Sequence, residues 1–581
     1  MMTEFIRLIQ VERIDDIPLL LAQLKKMQVI GLLDEFFPTH GHWKGELSLG
    51  EVVAGWIAFI VSEGDHRLSH VQAWAEQHPH TLAACLGRTV RPLDFSDDRL
   101  ADILDAFSDA EAWGEFETAF SAGLLRVYDL PSDRVRVDST SAKTYAGVSA
   151  EGLFQFGHSK DHRPDLRQVK INLSALDPLG LPLTTSVVSG QTADDPLYVP
   201  EIKQVQRCVG RGGKTYIGDC KMGALATRAY VAAGQDSYLC PLAGAQLPSA
   251  ELETLLKPVF RRKQRLQPVY TPVESGSPRR KKIAEGFECQ RILETEIEGQ
   301  AVRWVERRLV VRSLAQAKQL AESLDKRLAQ AVTEIEALTE RKQGKKRLVV
   351  SELQAAVAKI LSHHRVEGLV KVQTHTTTLQ IPKRGYGSRP AEVRVETYTR
   401  LKAQIDRAAV QQAKQCLGWR VYATNQSGLT LTQVVGAYRE QYLLERCFGR
   451  LKGKTLSLMP LYLQTDTRVA GLIRLLTIAL RLLTLVEFVV RRRLQQDNTE
   501  IVGLYPGNAK RATTQPTAEL ILKAFTGLNL MVLQIEGQVK VILSELTTLQ
   551  ARLLDLLGLS LDVYLHLSQH FLKPALILSE P

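Results

Sequence analysis

The chain is short of the residues that would announce thiol or metal–sulfur chemistry. Its 581 residues hold seven cysteines, at 85, 208, 220, 240, 289, 416 and 447. The number is odd, the positions are scattered and no two form a C-x-x-C pair, which argues against a disulfide framework or a zinc site and for a reduced, cytoplasmic setting. No serine or cysteine stands out as a nucleophile; Cys220, directly after Asp219, reads as a small buried residue. The opening MMTEFIRLIQVERIDD lacks the apolar stretch of a signal peptide. No helix-turn-helix signature stands out. A long uninterrupted apolar run is missing too: Val469–Val490 comes nearest, but Arg474, Arg481 and Glu487 break it, as in a buried core helix and unlike a membrane span.

What is present describes a globular protein of several domains, 45% hydrophobic and 24% charged. The net charge of +11 and pI near 9.2 favour a polyanionic partner, although charge alone does not separate nucleic acid from a membrane surface.

Residues 1–128 read as all-helical. Ser48–Glu51 and Ser69–Gln72 have capping-box spacing, and Ser96-Asp97-Asp98 offers acceptors suited to a helix start. From 129 to 242 the texture changes to strands. Val135–Ser141 leads into Asp138, and Gln168–Asp177 and Leu181–Gly190 form a hairpin about Pro178-Leu-Gly180. A helix near Leu197–Arg207, a strand Lys214–Asp219, a helix Ala224–Ala233 and a strand Ser237–Leu242 follow. This β-β-β-α-β-α-β order fits an RNase H-like sheet, with Asp138 and Asp219 on neighbouring strands. Either Asp alone would read as a turn former.

The interval from Asp219 to Glu445 is far longer than that from Asp138 to Asp219, which implies an inserted α+β domain over 243–415. It carries basic runs, including Lys345-Lys346-Arg347, and an a/d pattern from Leu314 to Leu338 that predicts a coiled-coil arm with its turn at Arg341–Arg347. Those charges either solvate the arm or contact DNA. The second part of the core spans 416–495, and a mixed appendage closes the chain over 496–581. There, Val532–Leu543 suggests a hairpin and Thr547–Gln550 a helix cap.

In Tyr438–Lys452, YREQYLLERCFGRLK, the period of 3.6 puts Tyr438, Gln441, Glu445 and Lys452 on one helix face. Glu445 could ligate a divalent ion while Lys452 and Tyr438 hold a phosphate. A solvated amphipathic helix would show the same pattern.

These residues resemble the DDE insertion-sequence transposases, whose glutamate motif is Y-x2-R-x3-E-x6-K. Tyr438, Glu445 and Lys452 match it in spacing, with Gln441 in the place of Arg. One branch carries Gln there, together with GYSKDHRPDLKQ and GNT-D segments; this chain has GHSKDHRPDLRQ (Gly157–Gln168) and GQTADD (Gly190–Asp195). The resemblance covers Val135–Ala243 and Trp419–Val490. His158 replaces the branch's Tyr, and Gln441 removes a cation from the phosphate-binding face.

The resemblance implies an RNase H-like core in which Asp138, Asp219 and Glu445 bind two Mg2+ ions, or Mn2+, with Tyr438, Gln441 and Lys452 on the phosphate. It implies a cytoplasmic, prokaryotic enzyme that binds terminal inverted repeats of double-stranded DNA as a homodimer. Such an enzyme cuts there and joins the ends to target DNA, with no membrane involved. A nuclease without strand transfer and a catalytically inactive DNA-binding descendant are the alternatives.

Overall fold

The computed structural model describes residues 6–39, 41, 43–145, 147, 152–271, 280–340, 348–385, 387, 390, 392–535 and 538–568. Contacts divide the chain into two compact units, Met1–Cys240 with Glu294–Trp304 and Ala437–Pro581, and Pro241–Leu293 with Val305–Gly436.

The first unit opens with strand β1 (Ile6–Arg13), which corrects the all-helical reading of 1–128. Its antiparallel partner is Asn529–Ile535, which also pairs with Gln538–Leu543. A strand whose partner lies at the other end of the chain leaves no local hairpin signal. The pairing also joins the expected C-terminal appendage to the first unit, as does the Tyr564 hydroxyl, which donates to the Asp15 carbonyl at 2.8 Å. Residues Glu536 and Gly537, expected at the hairpin tip, lie outside the described residues.

Helices follow: α1 (Ile17–Lys26), α2 (Val29–Phe36), α3 (Leu49–Glu63), α4 (Val71–Gln77), α5 (Pro79–Leu86), α6 (Asp97–Phe107) and α7 (Ala110–Tyr128). The Ser48–Glu51 capping box forms at the start of α3. The Ser69–Gln72 box does not, because Ser69 is inside a 3-10 turn (Leu68–His70) that runs straight into α4.

The sheet of this unit is built from β2 (Arg134–Thr144), β3 (Arg167–Leu176), β4 (Leu181–Ser189), β5 (Thr215–Gly218) and β6 (Ser237–Pro241). Helices α8 (Tyr198–Val209) and α9 (Leu225–Ala233) connect its parallel strands. The strand order is β4-β3-β2-β5-β6. β2–β3 and β3–β4 are antiparallel, whereas β2–β5 and β5–β6 are parallel.

The second unit contains α10 (Ser249–Phe260), β7 (Gln267–Tyr270), β8 (Lys282–Ile297), β9 (Gln300–Ser313) and α11 (Leu314–Ala337). It continues through α12 (Val350–His364), β10 (Val370–Lys383), β11 (Glu392–Ile405), α13 (Arg407–Gln415) and β12 (Trp419–Thr424). The coiled-coil reading is corrected here. The apolar stripe of α11 (Leu324, Leu328, Ala331, Ile335) packs into a small core with Leu353, Val366, Val370, Leu401, Ala403 and Val410. A seam spaced for one partner helix instead meets two helices and a β-ribbon. The expected arm tip, including Lys345, Lys346 and Arg347, lies outside the described residues. The boundary at 415/416 also shifts, because β12 pairs antiparallel with β9 inside this unit.

The chain re-enters the first unit through α14 (Leu431–Arg439), α15 (Tyr442–Lys452) and the 31-residue α16 (Asp466–Gln496). α16 has the length and apolarity of a membrane span, yet its apolar stretch is wholly buried within the protein. Its charged interruptions have partners. Arg474 donates to the carbonyls of Phe107 and Asp109. Arg481 donates to Glu117 at 2.6 Å and to the Pro182 and Leu183 carbonyls. At Gly471 the α6 backbone comes so close that a Cβ would stand 2.1 Å from the Leu104 carbonyl oxygen, so only glycine fits the crossing.

Helix α8 turns Glu201 into the core, where the hydroxyls of Thr184 and Ser186 and the amide of Asn172 donate to it. Burial outweighs these bonds and raises its pKa from 4.5 to about 7. The folded state therefore keeps a proton that the unfolded chain releases. The associated stability is fully present below pH 4.5 and is lost as pH rises through 7. Glu201→Gln removes this dependence. In urea titrations the variant should gain on wild type between pH 5 and 8, by up to about 3 kcal/mol; a pH-independent difference would contradict the burial argument.

Candidate active site

Strand β2 carries the site. Its parallel register with β5 pairs Val137 with Gly218, so the next residues stand side by side at roughly 4.8 Å spacing, Asp219 just past the end of β5 and Asp138 within β2, which runs on to Thr144 and does not end there as expected. Asp219 accepts from the Tyr198 hydroxyl at 2.6 Å and from the Lys221 amide at 2.8 Å. Burial raises the Asp138 pKa, the Lys160 ammonium opposes that, and the Asp219 charge adds to it, for a net upward shift. The Tyr198 phenol, buried beside both carboxylates, is held well above its ordinary value.

Alternate residues of β2 point one way, and Arg136, Asp138 and Thr140 meet the α14–α15 segment in sequence. Arg136 donates to the Ala437 carbonyl and reaches Glu440 and the Gln441 side chain. Asp138 accepts from Gln441 at 3.5 Å, and Thr140 accepts from Lys452 at 3.0 Å.

The expected single helix from Tyr438 to Lys452 is broken at Glu440–Gln441. Arg136 occupies the Ala437 carbonyl that a continuous helix would give to the Gln441 amide, and that amide bonds Tyr438 O instead. Tyr438 is thus on the preceding helix, half-buried, and the shared face reduces to Gln441, Glu445 and Lys452. Glu445 is one turn beyond Gln441 on the same face as Lys452. Both of those residues touch β2, so exposed Glu445 lies between two anchors on the strand of Asp138.

The GHSKDHRPDLRQ segment also enters the site. Lys160 donates to Asp138 Oδ1 at 3.1 Å and to Ser139 Oγ at 3.0 Å. Its neighbour Asp161 accepts from Lys452 at 2.7 Å. Asp194, in the GQTADD segment, accepts from Lys170 at 2.7 Å and from Ser139 Oγ at 3.2 Å. Burial works to raise the Asp194 pKa, but Lys170 and Lys160 hold it low. The sequence signals were the GHSKDHRPDLRQ segment for Lys160 and Asp161 and the GQTADD segment for Asp194. Cys220, expected to be buried, is half-buried.

Asp138 and Asp219 fit a hard divalent cation. Two oxygen donors press like charges together, and an ammonium already neutralises one of them. Among the described residues, however, no three His, Cys, Asp or Glu side chains stand together as a metal cluster. Glu445 shares the face but is not drawn in beside the two aspartates.

Residues 9–118 match the model of a domain of unknown function, DUF4277. No curated protein matches the chain. Among solved structures, a piggyBac transposase synaptic complex with hairpin DNA is similar at 13% identity and a TM-score of 0.22. The match covers 51% of this chain and 58% of that one, so this chain spans less than two-thirds of its neighbour. A superposition that loose leaves the reading of the site to its own residues.

Arg136 is fully buried, paired with buried Asp177 at 3.1 Å. Arg136→Met keeps the volume but leaves buried Asp177 with the longer 3.6 Å contact to Arg134 and frees the Ala437 carbonyl. It should cost about 3–5 kcal/mol in chemical unfolding, and amide exchange should show Gln441 joining the preceding helix. A cost below about 1 kcal/mol would mean that Arg136 does not set the break.

Proposed function

We propose that the chain is a metal-dependent DNA transposase with an RNase H-like core, which cuts the ends of its element and joins them to target DNA. One observation carries the reading: Asp138 and Asp219 side by side on parallel β2 and β5, with the Gln441–Glu445–Lys452 face laid along β2. The order β4-β3-β2-β5-β6, with a hairpin on one side of β2 and parallel strands on the other, supports it.

Asp138, Asp219 and Glu445 would hold two divalent ions, Mg2+ or Mn2+, which when bound activate water or a 3′-hydroxyl and neutralise the leaving oxygen. Lys452 pairs with a phosphate oxygen, and Gln441, as a neutral donor, orients it more weakly. The buried Arg136–Asp177 pair fixes the start of α15 and hence the direction in which Glu445 points.

DNA would be the polyanionic partner that the net charge favours, and assembly on two element ends would make the active form a homodimer. In the second unit, Lys371, His375, Arg400 and Lys402 are exposed on one face of the β10–β11 ribbon. A two-stranded ribbon fits a major groove. Replacing Arg400 and Lys402 by Ala should lower the slope of log affinity against log salt by about 2. An unchanged slope would remove the ribbon from the DNA surface.

A DNA-binding protein without chemistry is the second reading, and the ammonium of Lys160 against Asp138 favours it. Cleavage of labelled DNA flanking the reading frame, run beside a binding assay, separates the two. Asp138→Asn, Asp219→Asn and Glu445→Gln should bind like wild type and cut at background, whereas Lys452→Ala should cut weakly. A Glu445→Gln protein that still cuts would take this residue out of the site.

A further inference from the structure

The turn after β2 places two adjacent residues of opposite charge on the two working groups of opposite charge. Lys160 is on Asp138 at 3.1 Å, and Asp161 is on Lys452 at 2.7 Å. Resting on the reading above, we infer that Lys160 and Asp161 form a two-residue electrostatic latch. It occupies the metal-ligand oxygen and the phosphate-binding amine until a divalent ion and a DNA phosphate displace it.

Three features separate this pair from ordinary structural ion pairs. The latch contacts are half-exposed, with side-chain accessibilities of 27% and 17% for Lys160–Asp138 and 21% and 23% for Lys452–Asp161. The neighbouring Lys170–Asp194 pair, at 3% and 9%, is sealed in the core. The turn backbone is also held independently of the latch. Ser141 Oγ accepts from the Lys160 amide at 3.1 Å, Ser159 Oγ accepts from the Arg163 amide at 3.3 Å, and Gln168 Nε2 donates to the His158 carbonyl at 3.0 Å. The two side chains can therefore swing away without unravelling the turn.

Finally, each exchange replaces like with like. A metal cation takes the place of the ammonium on a carboxylate whose burial and like-charged neighbour already disfavour its bare anion. A phosphate takes the place of the Asp161 carboxylate on the amine. A Lys ammonium and a divalent cation compete for the same oxygen, so removing the first strengthens binding of the second.

The test uses the full-length protein and Mn2+ as probe, with binding followed by electron paramagnetic resonance and without reference to cleavage. Lys160→Met should bind Mn2+ on the order of tenfold more tightly than wild type, with an unchanged melting temperature. Asp161→Asn should bind duplex DNA more tightly, and that gain should vanish in the Asp161→Asn, Lys452→Ala double variant, which isolates the pair. Unchanged or weaker Mn2+ binding in Lys160→Met would overturn the latch and make Lys160 a positioning residue for Asp138. A DNA gain that persists without Lys452 would overturn its second half. Asp138→Asn serves as the separate control. If it binds Mn2+ as well as wild type does, the metal reading of the site fails, whatever Lys160 does.

Discussion

Burying charge inside α16 is the constraint on which the rest of the first unit depends. Removing an isolated ion from water costs several kcal/mol, so each charged residue in this helix demands a partner. Arg474 finds the end of α6, Arg481 finds Glu117 on α7 and the carbonyls of β4, and Glu487 gathers Arg446, Arg450 and Arg491. One apolar helix thereby fixes the helical region, the sheet and the glutamate helix against a common axis.

The consequence for the site is a division of labour between the faces of α15. Arg446 and Arg450 tie one side to Glu487, and Arg450 also holds Glu519. Cys447 donates to the Gly180 carbonyl at the β3–β4 turn. With those sides committed to packing, Gln441, Glu445 and Lys452 are left on the face along β2. The break at Glu440–Gln441 uncouples this orientation from α14, and Arg136 maintains the break from inside the sheet.

Much of the fold was legible because periodicity and turn residues are local. The hairpin about Pro178–Gly180, the strands leading to Asp138 and Asp219, and the buried character of the run broken by Arg474, Arg481 and Glu487 all followed from short stretches. The Ser48 and Thr547 caps did so as well. The coiled-coil expectation failed for the complementary reason. An apolar stripe reports that a helix face is covered, and the covering partners of α11 come from both helix and ribbon.

By itself, the sequence determined the β-β-β-α-β-α-β succession, the placement of Asp138 on the first of these strands and of Asp219 at the end of the fourth, and a helical period linking Gln441, Glu445 and Lys452. Tertiary structure alone decided that Tyr438 leaves that face, that Lys160 and Asp161 enter the site, and that β1 pairs with a strand at the far end of the chain. The physical reason is range. Element type is set by side chains within a few residues of one another. That Lys452 meets Asp161, and that the buried guanidinium of Arg136 takes the Ala437 carbonyl, is settled only when segments hundreds of residues apart are brought into contact.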